Sequence, residues 1–151
     1  PDYNKVIPKD NDKILEIKLN EFKNSIERVT TVSSDRKEAL KMSISKDSVQ
    51  LSVNNPNSGE GVENINAKFN SSDLNISFNS RYLMDIASHI ENEFIVINLK
   101  DPGSPVLIRD FSDKNSFHVV MPMKIWFISF KDNNRLFLYF SLSNHSIPTI
   151  I

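Results

Sequence analysis

The feature that most limits the fold is a change of hydrophobic period that happens twice along the chain. Lys13 to Lys18 alternates, with Ile14 and Ile17 offset around Leu15, and reads as a strand. Leu19, Phe22, Ile26 and Val29 then recur at three- and four-residue spacing, which predicts a helix over about residues 20–31 with Lys23, Glu27 and Arg28 on its other side. Alternation returns at Leu40, Met42 and Ile44 and again at Val49, Leu51 and Val53, and the turn residues SKDS between them make this a hairpin. NNPNSGEG is a second loop signal, followed by strands at Val62 to Lys68 and Leu74 to Phe78. The order then repeats. Asn79 or Ser80 can cap a second helix, and Leu83, Ile86, Ala87 and Ile90 give its buried stripe. Phe94 to Leu99, Pro105 to Arg109 and Phe117 to Met123 follow as strands. Strand, helix and several strands, twice over, predict an α+β fold with antiparallel sheets, a structural duplication with little identity between its halves.

Length and composition narrow the class. A chain of 151 residues, 39% hydrophobic and 25% charged, suits one soluble domain, or one domain with an appendage. A net charge of -1 argues against a strongly basic nucleic-acid binder. The absence of cysteine excludes disulfides and thiolate metal sites and fits a reducing cytoplasm. The first residue is Pro1, which leads us to expect a fragment, a processed product or a trimmed chain. Residues 1–12, PDYNKVIPKDND, read as a linker into a domain at 13–125. Residues 126–151, rich in aromatic and branched apolar side chains, have no partner in the duplicated order and read as an atypical tail. The longest apolar run, Leu136 to Phe140, is far too short to span a bilayer.

Catalytic constellations are missing. His89, His118 and His145 are scattered, without metal-ligand spacing. Gly59, Gly61 and Gly103 make no phosphate-binding loop; Gly59-Glu60-Gly61 reads as a turn and Gly103 as a hairpin corner. No catalytic residue, metal or cofactor is expected. Lys23 and Arg28 on the first helix are placed to face a phosphate backbone, with a solvated charged face as the ordinary alternative.

The string His118-Val119-Val120-Met121-Pro122-Met123-Lys124-Ile125 closely resembles the VVMPMRL-like C-terminal signature of bacterial DNA sliding clamps, the DNA polymerase III beta subunit family. Three further segments agree in order and spacing. PDYNKVIPKD resembles the linker into the third clamp domain, Asn54-Asn55-Pro56 follows a hairpin strand as in the family, and Phe78-Asn79-Ser80-Arg81-Tyr82-Leu83 resembles an FNxxYLxD stretch that Asp85 ends. The resemblance covers residues 1–125. It implies a sliding-clamp domain, two helices on two antiparallel sheets, as the third of three such domains in a non-catalytic processivity factor. It also implies a head-to-tail homodimer that encircles DNA non-specifically, the helices lining the hole, with the first and middle domains not represented in this sequence.

The resemblance further implies a pocket for QLxLF-type peptides of DNA polymerase III, the clamp loader and repair proteins. Methionines suit such a pocket because they form an adaptable apolar surface. The matching positions are Pro1, Lys5 and Val6 in the linker, Asn79 and Tyr82 at the start of the second helix, and Val119, Val120, Met121, Pro122, Met123, Lys124 and Ile125. One of Val119 and Val120 is expected to pack in the core instead, since neighbours on a strand face opposite ways. Lys5 and Lys124 stand where arginine is common, and Gly103 and Pro105 reshape a loop that lines the pocket in relatives. Thr31, Val32, Glu60 and Glu63 match the places that meet the neighbouring subunit, Thr31 being more polar than the usual anchor. The competing readings are a non-functional remnant of a split or decayed clamp gene and an unrelated small enzyme.

Overall fold

The computed structural model describes residues 7–33, 39–111, 117–129, 136–142 and 145–150, with side chains described as far as Met123. The first half is β1 (Lys13–Lys18), α1 (Leu19–Thr30), β2 (Ala39–Ser45), β3 (Ser48–Asn55) and β4 (Gly59–Lys68). The second half repeats it as β5 (Leu74–Asn79), α2 (Ser80–His89), β6 (Phe94–Leu99), β7 (Val106–Asp110) and β8 (Phe117–Val120). Three further strands follow, β9 (Lys124–Ser129), β10 (Leu136–Leu142) and β11 (His145–Ile150).

The first strand of each half crosses to the other half. β5 pairs with β2 and β1 pairs with β6, so the strand order is β5-β2-β3-β4-β1-β6-β7-β8, with every pair antiparallel. The two expected sheets are thus joined through a short ladder between β1 and β4, Glu16 opposite Lys68 and Ile17 opposite Ala67. Two helices on an antiparallel sheet fit the α+β class that the periodicity predicted and the clamp-domain architecture that the resemblance implies. β9, β10 and β11 form a separate three-stranded sheet with β10 in the middle.

Alternation explains the layers. On β1, Leu15 and Ile17 are buried while Ile14, Glu16 and Lys18 face the other way, and β2, β3, β5 and β6 follow the same rule. The helices close the core from its inner side. Leu19, Phe22, Ser25, Ile26 and Val29 are the buried stripe of α1. Leu83 and Ala87 are buried on α2, and Ile90 just beyond it, whereas Ile86 is only partly covered at the core's margin. Fully burying one such Phe or Leu stabilises the fold by about 1.5–3 kcal/mol.

The helix starts differ in mechanism. Lys18 offers α1 no side-chain cap, and the Leu19 N–H donates instead to the Glu93 carbonyl at 2.8 Å. Asn79 caps α2 with its own side chain, whose Oδ1 accepts the Arg81 N–H at 3.0 Å.

The glycine readings need correction. The turn lies at residues 56–58, and Gly59-Glu60-Gly61 belongs to β4, which therefore starts three residues before Val62. Gly59 enters the strand at φ +104, open to glycine at little strain. Gly61 is needed for closeness: a Cβ there would sit 2.6 Å from the Val29 carbonyl oxygen, so α1 lies against the bare backbone of β4. Gly103 does fall in the β6–β7 corner. There Asp101 accepts hydrogen bonds from the Gly103 N–H at 2.9 Å, the Ser104 N–H at 2.7 Å and the Ser104 hydroxyl at 2.8 Å.

Candidate partner-binding site

The segment that carries the methionines leaves β8 early. The ladder with β7 ends at Val120, three residues before the sequence reading put it, because Pro122 has no N–H to continue it. The chain then turns to another partner, and the Met123 N–H donates to the Ser77 carbonyl at 2.7 Å. Ser77 lies on β5, two residues before the Asn79 cap of α2. One backbone bond thus lays residues 121–123 along the strand that delivers Asn79 and Tyr82.

Burial sorts the candidates. Val120 stands opposite fully buried Val106 and is itself 7% exposed, so it is the core member of the valine pair. Val119 stands opposite Leu107 on the other face and is half-buried, as is Met121. Pro122 and Met123 are buried and pin the segment. Tyr82 is 48% exposed, large for an aromatic ring of this size. Asn79 is half-buried and occupied as a cap. Pro1, Lys5 and Val6 lie outside the described residues. Lys124 and Ile125 are placed by backbone only, on β9 opposite Ser141 and Phe140 of β10, so a strand begins before the boundary at 125 read from the sequence.

The residues assigned to DNA and to the neighbouring subunit come together unexpectedly. Arg28 forks onto Glu63, Nε to Oε1 at 2.9 Å and Nη2 to Oε2 at 3.1 Å, and Nη2 also reaches the Ser25 hydroxyl at 3.2 Å. The hydrogen bond raises the Arg28 pKa and lowers that of Glu63. Lys23 does not share a face with Arg28: five residues separate them, about 140° around the helix axis, on opposite flanks of the buried stripe. Lys23 is half-buried, Thr31 and Glu60 are exposed, and Val32 packs partly against the core.

A groove of about 410 Å³ opens between the helices, lined by residues such as Ile26, Thr30, Arg81 and Met84. Tyr82 lies about 200° around α2 from Met84, so it projects from the other flank and does not share this groove. Among the described residues no group of three or more histidine, aspartate or glutamate side chains is placed to hold a metal ion, and no helix is long and apolar enough to cross a membrane. The sequence reading missed the Ser77 carbonyl, which as a backbone group leaves no residue-type signal.

Comparison with known proteins gives the family. Residues 4–124 match the family described as DNA polymerase III beta subunit, C-terminal domain. The beta sliding clamp of Caulobacter vibrioides is 33% identical over 125 residues, which are 83% of this chain and 34% of that protein. The beta sliding clamp of Escherichia coli K12 is 29% identical over the same shares. Among solved structures, the sliding clamp of Bartonella birtlesii superimposes with a TM-score of 0.79 at 40% identity, covering 82% of this chain and 36% of that one. The Pseudomonas aeruginosa clamp gives 0.78 at 28% identity, with 82% and 34% covered. The chain spans about a third of the length of these relatives. With the family match over residues 4–124, the 33% identity to a sliding clamp and the superposition on solved clamps, the chain belongs to the DNA polymerase III beta subunit family, as its C-terminal sliding-clamp domain.

Proposed function

We propose that this chain serves as the partner-binding domain of a sliding clamp, a non-catalytic cytoplasmic processivity module that takes QLxLF-type peptides of polymerase, clamp loader and repair proteins. The observation that carries this reading is the bond from Met123 to Ser77. It holds a half-buried methionine and valine, Met121 and Val119, next to the strand that ends in Asn79 and leads into the helix carrying Tyr82. Adaptable thioether, branched aliphatic and aromatic surface of this kind suits a leucine–phenylalanine plug. The linker residues Pro1, Lys5 and Val6 and the strand residues Lys124 and Ile125 complete the proposed site. Residues 13–125 form the clamp domain in this reading, with 1–12 as linker and 126–151 as an added tail.

Joined to two domains of like build and to a second subunit, the module helps to encircle DNA. Its net charge of -1 suits encirclement better than grip, and the Arg28–Glu63 pair takes one of the two cations assigned to DNA. Thr31, Val32, Glu60 and Glu63 are the proposed contacts to the neighbouring subunit. The test is a fluorescence titration with a labelled QLxLF peptide. Saturable binding that weakens on Met121→Ala supports the pocket, and unchanged affinity for that variant removes it.

A further inference from the structure

The outer face of the β1-β6-β7-β8 half, turned away from the helices, holds two buried polar atoms in want of partners. Arg109 Nε and Asn98 Oδ1 are shielded from solvent and make no hydrogen bond. Register brings them together. Asn98 lies opposite Leu107, and Val96 opposite Arg109, so the two side chains are diagonal neighbours on one face of β6 and β7. The same register sets Val119 opposite Leu107 and Phe117 opposite Arg109. On the far side, Ile14 lies opposite Asn98 and Glu16 opposite Val96. The surroundings are therefore largely apolar, with Ile14 56% and Phe117 39% exposed.

Among the described residues no carboxylate pairs with Arg109. Glu16 is two strands away, beyond Val96, and sits 3.5 Å from Lys68. A buried guanidinium Nε without an acceptor and a buried carboxamide oxygen without a donor each destabilise the free protein, and a ligand that supplies both groups removes the penalty. An extended peptide does so: a carboxylate for Arg109, a backbone N–H for Asn98, and apolar side chains to cover Val96 and Phe117. The occupant is positioned by Val119, which the pocket reading already uses and which is diagonal to Arg109 across β7 and β8.

We infer that Arg109 and Asn98 form a second recognition point for the clamp-binding peptide, where an acidic residue flanking the apolar plug pairs with Arg109 and a backbone N–H of that flank donates to Asn98. The inference rests on the peptide reading proposed above. It makes Arg109 a specificity-determining residue that selects among plug-bearing partners by the charge next to the plug.

The test uses the full chain and labelled QLxLF peptides carrying Glu, Ala or Lys three residues beyond either end of the plug. The glutamate peptide is expected to bind about five- to tenfold more tightly than the alanine peptide, and the lysine peptide more weakly. Arg109→Gln abolishes this preference, while Arg109→Lys restores part of it. Plug binding without a charge preference, or with one that survives Arg109→Gln, overturns the inference and leaves the pocket standing. A second measurement separates the two readings. An acidic pentapeptide without a plug, followed by amide NMR, shifts the resonances of Val96, Asn98 and Arg109 in the native chain and not in Arg109→Gln. If it does so while no plug peptide binds, the pocket fails and the Arg109 site stands. If neither peptide shifts any resonance, both are overturned.

Discussion

The Met123 N–H donates to the Ser77 carbonyl at 2.7 Å, and this bond repeats, in the second half of the fold, the pairing of Lys68 with Glu16 in the first. Glu16 and Ser77 each stand third from the end of the strand that leads into a helix. β5 and β8 are the two ends of the strand order, so the bond also draws the ends of the sheet together. In a fold whose halves have diverged in sequence, the methionine segment is thus the counterpart of the end of β4.

Burial predicts that Val119 and Val120 respond oppositely to truncation. Val120→Ala removes core volume beside Val106 and is expected to lower stability by about 1–3 kcal/mol in urea titration. Val119→Ala leaves stability within about 0.5 kcal/mol and weakens peptide binding. A Val119→Ala variant that unfolds easily and binds normally contradicts the register-based assignment.

Gly61→Ala is expected to destabilise the domain by about 1–3 kcal/mol, because its Cβ meets the Val29 backbone rather than a side chain that can move. Gly59→Ala meets no atom within 4 Å and carries only backbone strain, about 1 kcal/mol. Equal urea midpoints for the two variants contradict a close α1–β4 approach.

Much of this was legible in the sequence, and the exceptions have physical reasons. The change of period placed both helices and β1 to β3 because alternation and helical spacing are local properties of the chain, and the asparagine cap of α2 was local too. The VVMPMKI string and Tyr82 were found by resemblance. What failed was long-range. Gly61 was read as a turn because a glycine that permits closeness looks, in sequence, like one that permits a bend. Arg28 and Glu63 received separate roles because 35 residues lie between them, and only the packing of α1 on β4 brings them together. The orientation of Val119 against Val120 needed the ladder with β7, and Arg109 carried no mark beyond its place in an alternating strand.

Acid sensitivity follows from two lowered carboxylates. The Ser104 hydroxyl and then the Gly103 N–H hold Asp101 below its ordinary 3.8, and the Arg28 hydrogen bond holds Glu63 below 4.5. Because the folded values lie below the unfolded ones, their stabilisation is present in full above the unfolded values and is lost as pH falls through the folded ones. Both groups are at the surface, so the effect is small. Urea midpoints at pH 5 and pH 3 are expected to differ less in the Asp101→Asn, Glu63→Gln double variant than in the native chain. An equal or larger drop in the variant contradicts this.

The tail strands β9, β10 and β11 pair with one another and not with the eight-stranded sheet. A chain ending at Ile125 is therefore expected to keep the far-ultraviolet circular dichroism of the clamp domain and a urea midpoint close to that of the full chain. Its peptide affinity is expected to be equal or higher, since β9 takes Lys124 and Ile125 into a paired strand. Collapse of the shortened chain contradicts the domain boundary.

Residues 119–123, held against β5, are the proposed peptide-binding surface. Fluorescence anisotropy of a labelled QLxLF peptide, with native chain and Met121→Ala compared at matched stability, tests it most directly. Saturable binding to the native chain and about tenfold or more weaker affinity for the variant are expected, in keeping with truncation of a contact at the centre of an apolar site. Saturable binding with the same dissociation constant for both proteins contradicts it.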